Sequence, residues 1–442
     1  MASVFKIIPT TQQYDWGKIG LSSKVAQYAA ACKLPGFTLD ENAPYAELWM
    51  GTHHSSPSRL ASTQEPLSAH LAAHPELVGA RVVERFRAAG AAEGNLPFLF
   101  KVLAIGKALS IQTHPDKAMA ERLHQERPDV YKDANHKPEM ALALTPFQAL
   151  CGFLPLPRIA EFLAAVPEFA ALVPPGIISQ FYTAAASADP TGPREKAALK
   201  DVFSAVMTAD PDVFRPQLER LVRRYEEAEE GEEGRAKVHE VEREVRELVL
   251  RLHGQFPGDI GVFCAFMLNH LTLEPGQAIF LAAGEPHAYV SGDIVECMAT
   301  SDNVIRAGLT PKLRDVPNLV AGLTYAAAPA HAHLVPPVAF AAAEHSALYD
   351  PPIPEFSVVR TVLGASREEK EREERHPGVD GPSIAIVTEG RGEVVWTEGK
   401  GGEERMEVGE GEVFFVGAGR EVEFVAKGEG SFVVHRAFVE AK

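Results

Sequence analysis

The sequence predicts a mainly β protein with a helical insertion, arranged as two jelly-roll barrels plus an α-helical domain. Three observations carry this expectation. Short apolar segments separated by Gly and Pro turns fill both ends of the chain. A block rich in Ala, Leu and Glu, apolar at helical spacing, interrupts them. A unit made of a turn, an apolar strand and a Gly turn occurs twice. At 442 residues the chain is long enough for two or three domains.

The elements follow in order. Leu96 to Ala104 and Leu109 to Gln112 read as strands around a Gly106-Lys107 turn. Residues 115–127 read as a helix, with Pro115 at its start, Asp116 early and Ala118, Met119 and Leu123 on one face. From residue 155 the pattern becomes helical, most clearly at Val238, Val241, Val245, Leu248, Val249 and Leu252. The acidic run Glu226 to Gly234 reads as a solvated loop or helix end. Strands are expected to return at Ile260 to Leu268 and Gln277 to Leu281, with a Pro- and Ala-rich crossover at 326–343. Ser383 to Val387 and Glu393 to Trp396 are short strands punctuated by Gly. The boundaries expected are 1–154 for the first part of a catalytic barrel, 155–258 for the helical insertion, 259–330 for the second part of that barrel, and 331–442 for a C-terminal barrel.

The repeat sharpens the architecture. Leu273 to Gly284 aligns without gaps on Val408 to Gly419, a pattern typical of cupin-type jelly rolls. Three residues past the second turn, the first copy has His287 where the second has Val422. The C-terminal barrel is therefore expected to be a degenerate copy without a metal.

Composition excludes several classes. At 46% hydrophobic and 23% charged the chain is ordinary globular material, with no apolar run of membrane-spanning length. Its start lacks the apolar core of a secretory leader. Cys32, Cys151, Cys264 and Cys297 are scattered, which suggests reduced thiols and a cytoplasmic location. The formal charge of −17 argues against nucleic-acid and anionic-membrane partners. It leaves room for an anionic small substrate held by a local cluster of Lys and Arg. The acidic surface suggests a monomer.

The chemistry begins at Ser110-Ile111-Gln112-Thr113-His114. Gln112 and His114 are two apart, so on a strand their side chains leave the same face. His136-Lys137-Pro138-Glu139 supplies a carboxylate, and Gly284-Glu285-Pro286-His287-Ala288-Tyr289 a second imidazole. Two imidazoles, a carboxylate and an amide fill most of a divalent-metal shell while leaving room for substrate. By ligand type alone, both zinc and non-haem iron fit.

These motifs, with Tyr14-Asp15-Trp16-Gly17-Lys18, Ala46 to His53, Leu96 to Lys117 and Gly284 to Lys312, closely resemble the type I mannose-6-phosphate isomerases (phosphomannose isomerases), zinc enzymes of the cupin superfamily. The resemblance runs the whole length of the chain. It implies interconversion of mannose 6-phosphate and fructose 6-phosphate through a cis-enediolate, a reaction that feeds GDP-mannose synthesis and glycosylation. It also implies one Zn²⁺ per chain, on Gln112, His114, Glu139 and His287.

An aldose–ketose isomerisation also needs phosphate donors and a proton-transfer base. Arg306 leads for the phosphate because a guanidinium grips it in a fork, with Lys312 and Ser110 as helpers. The base is open among Glu296, Lys101, Lys137 and Asp302. Glu296 lies in the apolar run Ile294 to Met298, where burial raises a carboxyl into the useful range. Lys101 needs desolvation or the metal to lower its pKa; otherwise it and Lys137 are electrostatic and ring-opening partners. Asp302 is a candidate proton shuttle in ring opening. Tyr289 and Trp16 are expected to line the pocket, Glu47 to orient a ligand, and His136 to stand in or just behind the pocket. His53 and His54 are assigned to a loop. Two other classes stay in view: an iron oxygenase on the same fold, and a sugar-phosphate-binding module without catalysis.

Overall fold

A computed structural model describes residues 2–228, 238–364, 372–398 and 402–441. The strands form antiparallel sheets in a cupin-like arrangement, interrupted by a helical domain. The catalytic half is organised around one long strand, His287–Ala299. Its first part pairs with Phe147–Phe153 and, at His287, with Gln112. Its second part lies between Phe98–Ile105 and Glu139–Ala143. The strand changes partners at Gly292, whose φ is +116° and whose position leaves no room for a Cβ, because Pro146 O would lie 2.6 Å from it.

The expected strands around Gly106 are Phe98–Ile105 and Ile111–Thr113. The expected helix is Lys117–Glu126, with Pro115 just outside it and Asp116 accepting from the Met119 N–H at 2.8 Å. The insertion carries helices between Leu156 and Glu227 and again over Glu240–Gln255, and Val238, Val241, Val245, Leu248, Val249 and Leu252 are all buried in its core. That core is continuous with Ile111, Ile305, Ala307 and Leu309, so the insertion braces the strand that carries Arg306. Of the acidic run, Glu226 and Glu227 close a helix, Ala228 follows, and residues 229–234 lie outside the described residues.

One expectation fails. Ile260–Phe266 is a 3₁₀ helix, not a strand, and the next strand starts at Leu268. A short apolar run cannot distinguish the two by periodicity. Asp259 decides it by accepting from the Gly261 N–H at 2.7 Å, which caps a helical turn buried on all sides. Val4–Ile8 pairs with Val413–Val416 and Arg59–Leu60, so these N-terminal segments join the sheet that holds the C-terminal strands.

The repeat is visible in the backbone. Ala278–Leu281 and Val413–Val416 are the aligned strands, and each is preceded and followed by glycines with positive φ: Gly276 and Gly284 in one, Gly411 and Gly419 in the other. His287 and Val422 each open the next strand. Gly292→Ala is expected to lose about 2–3 kcal/mol through left-handed strain and the Pro146 clash. A thermal melt checks this, and an unchanged midpoint would show that the bend tolerates a side chain.

Candidate metal centre and its cavity

Strand register brings the polar residues together. Glu296 lies directly opposite Lys101, and Trp49 flanks Lys101 on the other side. Glu139, two residues from the Ala141 partner of Glu296, shares its face. Gln112 is paired with both His287 and Arg306. These groups line or back a cavity of about 640 Å³.

Behind the wall, His114 Nε2 lies 3.4 Å from Glu139 Oε2, and His287 Nε2 lies 3.2 Å from the same oxygen. None of these three buried atoms has a hydrogen-bond partner. Each imidazole is oriented through its other nitrogen: His114 Nδ1 donates to Asn303 O at 2.6 Å, and His287 Nδ1 to Glu285 O at 3.0 Å. A carbonyl only accepts, so the Nε2 lone pairs face Glu139. Burial pulls the His114 pKa down to about 4, against the Glu139 charge, so that ring is neutral and able to ligate.

Ligand atoms about 2.1 Å from a tetrahedral zinc stand about 3.4 Å apart, so the orphaned trio fits such an ion. Gln112, half-buried and lining the cavity, lies opposite His287 on the adjacent strand. Glu139 Oε1 accepts from Lys137 Nζ at 2.8 Å. Burial raises the Glu139 carboxyl, but Lys137 and His114 outweigh this and hold it well below the usual range.

Glu296 is saturated differently. Its Oε1 accepts from the Tyr289 hydroxyl at 2.8 Å, and its Oε2 from Lys101 Nζ at 3.2 Å. Burial raises its pKa, with Lys101 opposing and Glu139 adding to the rise. Lys101 also lies 3.5 Å from Glu47 Oε2 and over the Trp49 ring at 4.9 Å. Burial would lower the Lys101 pKa, but Glu47 and Glu296 reverse the sign and it is raised. The expectation that desolvation depresses this lysine is therefore corrected: Lys101 is an ammonium held between the Glu47 and Glu296 carboxylates.

The cavity also receives Trp16, Ser110, Lys107, Lys312 and Arg306. Among the described residues, Arg306 and Lys312 have no carboxylate partner for their side chains. Burial lowers the Arg306 pKa. Two expected residues lie elsewhere. His136 Nε2 is 2.6 Å from Glu355 Oε1, and Asp302 Oδ1 is 3.3 Å from His53 Nε2; neither residue lines the cavity. The ring-opening part given to Asp302 has no geometric basis, because its carboxylate is turned to a histidine outside the cavity.

The sequence reading missed three contributors. Arg215, from the insertion helix Pro211–Glu227, lines the cavity with no ion-pair partner among the described residues. Asp259 accepts from the N–H groups of Leu309 at 2.8 Å and Thr310 at 3.1 Å, which sets the loop before Lys312. Asn303 supplies the carbonyl for His114 and ties its own amide to Asp133 O and Asn135 O. Only Asp259, after Pro257-Gly258, carried a turn signal in the sequence.

Family models agree with this architecture. Residues 4–156 match the catalytic domain of phosphomannose isomerase type I, 177–268 its helical insertion domain, and 346–398 its C-terminal domain. Mannose-6-phosphate isomerase of Cryptococcus neoformans var. neoformans is 47% identical, with 99% of each chain covered. The chain belongs to the type I phosphomannose isomerase family. Mannose-6-phosphate isomerase of Saccharomyces cerevisiae is 42% identical, again over 99% of each chain. Among solved structures, a mutant phosphomannose isomerase from Salmonella typhimurium superposes with a TM-score of 0.77 at 29% identity, covering 99% of this chain and 100% of that one. A zinc-bound mannose 6-phosphate isomerase gives 0.75 at 29% identity, with the same coverage.

The charge cluster makes a stability prediction. Lys101→Met strips the ammonium from Glu296 and Glu47 and is expected to cost about 3–5 kcal/mol at neutral pH. A carboxyl with a raised folded pKa contributes stability in acid that is lost as pH rises through that value. Losing Lys101 raises Glu296 further, so the deficit relative to the parent protein widens from about pH 5 to pH 8. Urea unfolding at both pH values measures it; a deficit that stays constant would contradict the pairing.

Proposed function

We propose that this chain is a zinc-dependent isomerase that interconverts D-mannose 6-phosphate and D-fructose 6-phosphate in the cavity described above. One observation carries the reading. The orphaned His114, Glu139 and His287 atoms back a cavity, reached through Glu139, that also holds a buried carboxyl of raised pKa and, at Arg306, a guanidinium with no carboxylate partner among the described residues. Gln112, His114, Glu139 and His287 would hold the zinc, which would supply Lewis-acid stabilisation of developing negative charge on the sugar.

The remaining roles belong to the chain's own groups. Arg306, Lys312 and Ser110 bind the phosphate, and Arg215 reaches it from the insertion. Glu296 takes the proton from C2 and returns it at C1, passing through a cis-enediolate of the sugar. Tyr289 and Lys101 fix the Glu296 oxygens so that a free lone pair faces the substrate. Lys137, beside Glu139, and Lys101 both line the cavity and serve as electrostatic and ring-opening partners. Trp16 and Leu103 give the cavity part of its apolar lining. We further assign the chain to a monomer in the cytosol. Support for the cytosol comes from Cys32, Cys151, Cys264 and Cys297, all free thiols, and for the monomer from the formal charge of −17.

The test is conversion of mannose 6-phosphate to fructose 6-phosphate by purified protein, without oxygen, lost on chelation and restored by zinc. No conversion, or a requirement for iron and oxygen, would overturn the reading. Arg306→Ala is expected to keep its zinc while kcat/KM falls about 100-fold, the scale of one charge-assisted bond, about 2.7 kcal/mol. Unchanged kinetics would remove Arg306 from the phosphate site. Glu296→Gln is expected to lose about 10²–10⁴ in turnover and to stop deuterium uptake at the substrate carbon in D₂O. Retained exchange would transfer the base role to another group.

A further inference from the structure

A second cluster of metal-type donors lies outside the cavity. His53 and His54 follow the strand Glu47–Met50 in a loop, and Asp302 follows the long strand His287–Ala299. His53, His54 and Asp302 each offer a ligand atom, all within 4.8 Å of one another. His53 Nε2 is 3.3 Å from Asp302 Oδ1, close to the spacing a shared ion imposes. The two imidazole rings are 4.6 Å apart between centroids and 31° apart in plane.

The buried member is pre-oriented. Ser55 Oγ lies 2.9 Å from His53 Nδ1 and the Ser55 N–H donates to the same nitrogen at 3.4 Å, which turns Nε2 toward Asp302. The edge of Trp49 packs on the same ring at 5.1 Å. Asp302 is fixed from behind, its N–H donating to Asp133 Oδ2 at 2.8 Å. His54 and Asp302 are exposed, so an ion can reach them and keep water in its remaining positions. Two imidazoles and a carboxylate select first-row ions such as zinc, nickel or copper over magnesium or calcium.

We propose that His53, His54 and Asp302 form a second, weaker transition-metal site, separate from the one at Glu139. In this structure His53 and Asp302 face each other across the position of a proton, and a divalent ion replaces that proton. The site adjoins the first: Asn303, next to Asp302, provides the carbonyl that orients His114. Excess metal therefore has a contact one residue away from the group that holds a ligand of the buried centre.

Equilibrium dialysis of the zinc-loaded protein against rising free zinc, read by elemental analysis, tests this independently of catalysis. The expected result is a second saturable zinc beyond the tightly held one. His54→Ala and Asp302→Asn are each expected to weaken that second binding by about 10–100-fold, the scale for disturbing a metal centre, without displacing the first zinc. His54 is exposed, so its loss leaves the core packing intact. Absence of a second saturable zinc in the parent protein overturns the proposal, and so does second binding that is equally tight in both variants. The isomerase reading survives either result, because it rests on the buried centre alone.

Discussion

Everything in the cavity depends on how Glu139 is kept charged while buried. A carboxylate taken out of water is costly unless both oxygens find partners. Glu139 gives one oxygen to Lys137 and aims the other at the Nε2 atoms of His114 and His287. That second oxygen and the two Nε2 atoms are left unsatisfied together. Such a trio is unfavourable as a protein interior and favourable as a metal shell. The unmet donors are the strongest physical sign of what the centre accepts.

The charges around Glu296 follow a different logic. Its pKa is raised by burial, while Lys101, itself wedged between Glu47 and Glu296, keeps the pair from being a pure desolvation penalty. The two carboxylates of the cavity thus differ in environment: Glu139 is held ionised, and Glu296 is pushed toward taking a proton. One strand maintains the difference. His287 stands at the start of it, Glu296 near its end, and Gly292 between them lets the strand change neighbours. The helical insertion adds the outer wall, braces the Arg306 strand and contributes Arg215.

The ligand motifs, the insertion, the repeat and the loss of a histidine in its second copy were legible because each is a local pattern. Period-two spacing of Gln112 and His114, helical spacing from Val238 to Leu252, and glycine positions in the repeat survive without knowledge of the fold. Ile260–Phe266 was misread because a buried apolar heptad carries no period of its own. His136 was drawn toward the cavity by its neighbour Lys137 and Asp302 by residue type alone, although their side chains pair with Glu355 and His53. Arg215 was invisible, since nothing in a helix full of arginines marks the one that ends at a cleft built elsewhere.

The sequence by itself determined the class of fold, the metal-type donor set and the family, because these rest on residue type and short-range spacing. Only the tertiary structure decided charge states and directions. It showed that Lys101 is held as an ammonium, that Glu296 is raised, that Asp302 pairs with His53, and that Val4–Ile8 completes the distant sheet. The physical reason is that a side chain's pKa and aim are set by neighbours across strands, many of them more than a hundred residues away along the chain.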